Sequence, residues 1–257
     1  MPSLGRMLKA TLSATYDYLQ LVVVANVLWC AAWIVPLLVS AVLPDIVLLV
    51  IAVAGALAAL TVGPATLGLA ELAHRVVTRD DPGLRHFFHG YSRFFWRGVS
   101  YFLVNAVVVG GCLVNVGFYT TVFAGRWLWV VGVLWVYVLI FWGLMQIYAP
   151  QLIVRADLGV ARALKLAARA VAGNIAYTTV VMLEIAVVGA LVALPVLLGK
   201  QTLMGLSVLV AFFLFAGFVS MLSAGAVDDL MQYQEAEEEQ PGEDSEEPST
   251  EEEATCA

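Results

Sequence analysis

Positive charge is scarce in this chain. Its 257 residues include only 13 Lys and Arg against 20 Asp and Glu, and charged residues of all kinds make up 13%. A soluble domain carries about 25%, so the sequence lacks the polar surface that a soluble fold of this length needs. Cysteine is also rare. Cys30 and Cys112 fall in apolar stretches and Cys256 is the penultimate residue. Neither a disulfide framework nor a zinc-ligand spacing is present, and a prenylation box would place Cys fourth from the end. The N-terminal apolar run is too long for the core of a cleavable signal, and no small-x-small site closes it. No zinc-protease, paired-Asp or phosphate-cradling pattern occurs. The sequence therefore nominates no catalytic residue, no cofactor and no metal, and the expectation is a protein that is not an enzyme.

Apolar residues are abundant, at 61% of the chain, with a mean hydropathy of +0.89. They come in runs long enough to cross a bilayer, which takes about 20 helical residues. Six spans are expected, at 19–43, 46–62, 99–123, 127–154, 175–198 and 202–227. Backbone in hydrocarbon must satisfy its own hydrogen bonds, so these runs read as helices. The expected fold is all-α: a polytopic bundle of six transmembrane helices, occupying residues 1–227.

The few cations are unevenly placed. Arg6 and Lys9 precede the first span. Arg75, Arg79, Arg85, Arg93 and Arg97 lie between spans two and three, and Arg155, Arg162, Lys165 and Arg169 between spans four and five. Only Arg126 and Lys200 fall on the other side. The positive-inside rule then places both termini in the cytoplasm. The opposite loops, Pro44-Asp45, Ala124-Gly125-Arg126 and Gly199-Lys200-Gln201, are too short to form a domain. Residues 228–257 hold thirteen of the acidic residues and no Lys or Arg. The rest of the chain has thirteen basic and seven acidic residues, a net of +6. The acidic segment, rich in Glu, Pro, Ser and Thr, is expected to be disordered. It either solvates that end of the protein or competes with lipid or a partner for the basic stripes.

Two segments between spans are amphipathic. After Asp81, a plausible N-cap followed by Pro82 at the first helical position, Leu84, Phe87, Phe88, Tyr91 and Phe95 form an apolar face. Arg85, His89, Arg93 and Arg97 form a basic stripe. After Asp157, Arg162, Lys165 and Arg169 form a second stripe, with Leu158, Ala161, Leu164, Ala168 and Val171 opposite. Both read as interfacial helices, of equal length at 83–98 and 159–174. They fit a parallel internal repeat of span, interfacial helix and span. Each basic residue near the inner surface attracts anionic lipid by about 1 kcal/mol, so the stripes read as lipid anchors or as a docking surface. Nucleic acid is not an expected partner, because the cations sit beside interfacial aromatics. His74, His86 and His89 share one loop but lack the further ligands a metal site needs.

Several features inside the spans are candidates for function. Glu184 lies near the middle of the fifth span, where a carboxylate is costly and marks a site by default. It reads as a group in a proton- or cation-coupled step, as a bond to a polar substrate, or as a neutral acid bonded to Asn105, Asn115 or Gln146. Asn26, Trp29 and Trp33 share a face of the first span, and Trp135, Trp142 and Gln146 a face of the fourth. Such stripes line a sugar path or simply pack. Gly63-Pro64 marks a kink, since Pro removes a helix hydrogen bond. It reads as a static packing kink or as a hinge in an interrupted helix. Gly55, Ala59 and Gly63, and Ala216, Ser220 and Ala224, form small-residue ridges suited to close helix contact.

Asn26-Val27-Leu28-Trp29, then Pro36, then Thr61-Val62-Gly63-Pro64-Ala65-Thr66 resemble segments of the YesL-like family of prokaryotic integral membrane proteins. The aromatic and basic stretch from Phe87 to Arg97 and Tyr148-Ala149-Pro150 are similar to its later segments. The resemblance covers most of 19–227 and excludes the acidic tail. It implies a multi-pass protein of the prokaryotic cell membrane, associated with carbohydrate uptake and degradation, and transfers no catalytic residue. The expected function is a non-enzymatic accessory or assembly partner of a solute uptake system, beside an ABC-type permease or another membrane protein. The alternative is a transporter in its own right, with Glu184 and the Gly63-Pro64 kink on the substrate path.

Overall fold

In the computed structural model, which describes residues 4–42, 47–122, 129–197 and 215–238, no strand occurs among the described residues and nine α-helices follow one another. They are α1 (Leu4–Asp17), α2 (Leu19–Val42), α3 (Val47–Thr78), α4 (Leu84–Arg93), α5 (Phe95–Gly117), α6 (Trp129–Arg155), α7 (Val160–Gly173), α8 (Ile175–Leu197) and α9 (Ala216–Glu238). A π-helical turn, Phe118–Val122, extends α5. Four helices, α2, α3, α5 and α6, are long and apolar enough to cross a membrane. A fifth span is reached if α7 and α8, bent by 102° at their junction, are taken together. The protein is therefore a helical membrane bundle. The first half of the expected sixth span, 202–214, lies outside the described residues, as do the three short loops on its far side.

The second expected span, 46–62, is only the first half of α3, which is 32 residues long. At 1.5 Å per residue such a helix measures about 48 Å, more than the roughly 30 Å hydrocarbon core. It passes through Gly63-Pro64 as one continuous helix and carries Glu71, His74 and Arg75 on its far half. Of the outcomes open at Pro64, a break is the one that α3 does not take.

α3 is the hub of the bundle, touching α1, α2, α4, α5, α6 and α9. Glycine permits the closest of these approaches. A Cβ on Gly98 of α5 would stand 2.6 Å from the Pro64 nitrogen, and a Cβ on Gly63 would be closer still to the Gly98 carbonyl. One and a half turns on, a Cβ on Gly68 would meet the Phe87 carbonyl at 2.7 Å, and one on Gly90 would meet the Glu71 Cβ at 2.7 Å. Two glycine pairs thus set α4 and α5 backbone-to-backbone against α3. The ridge read from the sequence is half used there: Ala59 is buried and Gly63 is in contact, but Gly55 has open space around it.

Several sequence-based details differ. The expected helix 83–98 is two helices, divided at Phe94. Its N-cap is Gly83, not Asp81. Asp81 sits two residues earlier with φ 42° and pairs instead with Arg85. The buried face of this segment is Phe87, Gly90 and Phe94, while Phe88 is exposed. In α7 the buried face is Ala163, Ala167 and Val171, and Ala161 is exposed. Both stretches contain more than one plausible apolar stripe, and contact with the neighbouring helix selects between them. Asp157, two residues before the Gly159 N-cap, has φ 50°, so both interfacial segments start from the same turn. Asp tolerates this left-handed conformation better than most residues.

The sequence reading assigns no element to residues 4–17. They form α1, which packs chiefly on α9 and α3, burying Thr11, Ala14 and Thr15. Asp17 of α1 pairs with Arg79 at 3.1 Å. At the other end, residues 228–238, expected to open the disordered tail, are helical and complete α9.

Candidate functional site

Asn26, Trp29, Thr61, Thr66 and Tyr91 each make a joint between helices. Pro36 in α2 has no N–H, so the carbonyl four residues before it, that of Ala32, loses its helical partner. The Thr61 hydroxyl of α3 donates to that oxygen at 2.8 Å, sharing its proton with its own Leu57 carbonyl at 2.9 Å. Pro64 likewise frees the Leu60 carbonyl, and the Tyr91 hydroxyl of α4 approaches it at 3.5 Å. Membrane helices tolerate proline when a neighbour replaces the missing bond in this way. The Trp29 indole N–H donates to the Thr66 hydroxyl at 3.0 Å. The Asn26 side chain, fully buried, accepts from the Gly217 N–H of α9 at 2.8 Å. Thr61→Val keeps the shape of the side chain but removes its donor. It is expected to lower unfolding stability in detergent by about 1 kcal/mol, the usual net worth of such a bond, whereas Thr179→Val, whose hydroxyl is exposed and bonds only within its own helix, is expected to leave stability unchanged.

Beside these joints lies a cavity of about 750 Å³, bounded by α2, α3, α5, α6 and α9. Trp29 and Trp33 form part of its wall in an edge-to-face pair with ring centres 6.2 Å apart, and Trp33 continues edge-on to Phe102 at 6.3 Å. Asn105, Gln146 and Gln151 supply the amides. Most amide capacity is already used. Asn105 donates to the Tyr101 carbonyl at 2.9 Å and accepts from the Trp142 indole at 2.9 Å. Gln146 accepts from the Tyr101 hydroxyl and donates to the Trp142 carbonyl at 3.2 Å. Gln151, almost wholly buried, donates to the Ser220 carbonyl of α9 at 3.3 Å. No charged side chain lines the cavity among the described residues.

The residues expected to form one intramembrane polar site are thus divided. Asn105 and Gln146 share the cavity wall with Gly63. Asn26 serves the α2–α9 joint. Asn115 is near the C-terminal end of α5 and donates to its own helix at Gly111. Glu184 lies on α8, outside the cavity, and is not bonded to Asn105, Asn115 or Gln146. Its Oε2 is enclosed and has no hydrogen-bond partner among the described residues.

The basic residues divide in the same manner. Arg85 pairs with Asp81, and Arg93 and Arg97 both reach Asp157 in the turn before α7, Arg93 at 3.2 Å. Both guanidinium groups also lie over the Phe94 ring, at 5.1 and 5.5 Å. These contacts strap the first interfacial segment to the second. Arg162, Lys165 and Arg169, all exposed along one side of α7, have no ion pair among the described residues. Of the expected basic surface, α7 presents the uncompensated half.

The hydrogen bond from Arg97, helped by the charge of Arg93, holds the Asp157 carboxyl below its ordinary range. A carboxyl lowered on folding contributes stability above its unfolded pKa of about 3.9, and that contribution is lost as pH falls through the folded value. Protection of the Ala163 amide, which donates to the Gly159 carbonyl at 3.0 Å, is therefore expected to hold relative to its intrinsic exchange rate from neutral pH to about pH 4 and to fall below it. In Asp157→Asn it is expected to be low throughout. No protein-family model, curated protein or solved structure matches the chain.

Proposed function

We propose that this protein is a non-enzymatic, multi-pass accessory or assembly partner of a solute uptake system, with α7 as its docking face. The single observation that carries the reading is the contrast between the two basic segments. The cations of α4 and early α5 are held by Asp81 and Asp157, while Arg162, Lys165 and Arg169 stand free of ion pairs among the described residues on an exposed, strapped helix. A rigid helix with three uncompensated cations is suited to an acidic partner surface beside the membrane, because charge complementarity sets specificity and encounter rate. The positive-inside rule places this face in the cytoplasm. The resemblance of Asn26–Trp29 and Thr61–Thr66 to YesL-like segments supplies the association with carbohydrate import.

The test is a native purification from the source membrane, comparing the parent chain with a variant carrying Arg162→Glu, Lys165→Glu and Arg169→Glu. Permease subunits are expected to co-purify with the parent and to be lost from the variant, with helix content unchanged. Retention of the same partners by the variant overturns α7 as the docking face. Solute flux by the pure protein in liposomes overturns the accessory role in favour of a transporter.

A further inference from the structure

We infer that the cavity between α2, α3, α5, α6 and α9 is a binding site for an uncharged amphiphile, a molecule with an apolar body and a hydroxyl-bearing head. Its volume of about 750 Å³ lies within the roughly 300–1,000 Å³ typical of small-molecule sites. The walls decide the chemistry. Trp29, Trp33 and Phe102 form a continuous edge-to-face aromatic strip, which offers broad apolar contact and no counter-charge. A carboxylate, phosphate or ammonium group placed here would be desolvated without compensation, because no charged side chain lines the cavity among the described residues and an unpaired buried charge is costly. Purely polar solutes fare poorly too. Asn105 and Gln146 have each committed their carbonyl oxygen and one N–H to neighbours in the bundle.

What remains is small and specific. A primary amide has two N–H donors and a carbonyl acceptor, so Asn105 and Gln146 each retain one donor. Gln151 is the sharper group. Its Nε2 is bonded to the Ser220 carbonyl, and its Oε1 accepts no hydrogen bond from the described residues. That oxygen is therefore open to a donor from a ligand. With the Thr66, Tyr101, Ser220 and Ser223 hydroxyls, whose protons are given to the bundle, these neutral donors and acceptors match a hydroxyl head, which both donates and accepts. The apolar body then lies along the aromatic strip. A neutral glyceride and an alkylated sugar share this chemistry. The inference is independent of α7 as a docking face, since it rests on different residues.

Cys30 lines the same cavity and provides the readout. The full chain, with Cys112→Ser and Cys256→Ser, is placed in zwitterionic phospholipid nanodiscs, and the alkylation rate of Cys30 by N-ethylmaleimide is measured. Monolaurin at about four times its Kd is expected to slow the reaction about fivefold, the factor given by simple occupancy. Laurate, which has the same body with a charged head, and glycerol, which has the head without the body, are expected to leave the rate unchanged. Octyl glucoside in place of monolaurin distinguishes a sugar head from a glycerol head. Gln151→Leu is expected to abolish protection, measured against that variant's own unliganded rate, and Trp33→Ala gives a second check on the apolar wall. Absence of protection by both hydroxyl-headed probes, or equal protection by laurate or glycerol, overturns the site.

Discussion

Gly98→Ala is expected to lower the unfolding stability of the bundle by about 1–3 kcal/mol, the usual cost of forcing extra volume into a packed contact. Gly98→Val is expected to yield little folded protein. The sign is opposite to that of local propensity, since Ala in a helix interior is favoured over Gly by about 1 kcal/mol. What reverses it is the neighbour. The new Cβ would stand 2.6 Å from the Pro64 nitrogen and 2.7 Å from the Gly63 carbonyl carbon. These are backbone atoms of another helix, so no rotamer change relieves the clash and α3 and α5 must separate. Gly110 lies on the same helix with nothing within 4 Å of its would-be Cβ, and Gly110→Ala is expected to be neutral or slightly stabilising. Thermal unfolding of both variants in one detergent checks the pair. Equal behaviour at the two positions would mean that the α3–α5 contact does not hold the bundle together. The contact also forms one side of the cavity, which Gly63 lines, so Gly98→Ala is expected to alter Cys30 accessibility as well as stability.

The long helices were legible because hydropathy alone specifies them. Spans expected at 19–43, 99–123 and 127–154 correspond to α2, to α5 with its π turn, and to α6. The two amphipathic segments were also visible, since cations and apolar residues recur there at helical spacing. The side each segment buries was not visible. Phe87 and Phe88 are adjacent and equally apolar, yet one is buried against α3 and the other exposed. Only the glycine contacts of α3, which draw Gly90 inward, distinguish them. Pro64 reads from the sequence as a place where a hydrogen bond is missing, and Pro36 breaks the α2 ladder in the same way. Which residue restores it could not be read, because Thr61 lies 29 residues from Ala32, and Tyr91 lies 31 from Leu60. Asn26, Trp29 and Thr61 consequently looked like parts of a possible substrate path, whereas each of them joins two helices. The polar candidates were scattered for the same reason. Depth in a span is a property of sequence position, but convergence depends on helix rotation, and Glu184 and Asn105 rotate apart.

The boundary of the acidic tail was misplaced because composition was read without a partner. Asp228 and Asp229 begin the run of thirteen acidic residues, and by charge they belong with it. In the bundle they belong to α9. Asp228 pairs with Arg155 of α6 at 2.8 Å, with both side chains more than three-quarters buried, and Asp229 accepts from the Tyr177 hydroxyl of α8 at 3.3 Å. Both lie near the middle of α9, so it is these partners on α6 and α8, and not the helix terminus, that accommodate the two charges. Asp228→Ala is expected to cost about 2 kcal/mol, below the 3–5 kcal/mol of a fully buried pair because some solvent reaches both groups. Arg155 would be left enclosed with its Nη1 already lacking a hydrogen-bond partner among the described residues. The double variant Arg155→Met with Asp228→Leu, which removes both charges and keeps apolar volume, is expected to recover most of the loss. Asp157→Ala, whose carboxylate is half exposed, is expected to change global stability far less than Asp228→Ala. Hydrogen exchange along 216–238 locates the effect: fast exchange throughout α9 in Asp228→Ala, restored in the double variant, is the expected pattern. Slow exchange in the single variant would mean that α1 and α3 hold α9 without the ion pair. In that case the acidic tail would begin, energetically, at Asp228 as its composition indicates.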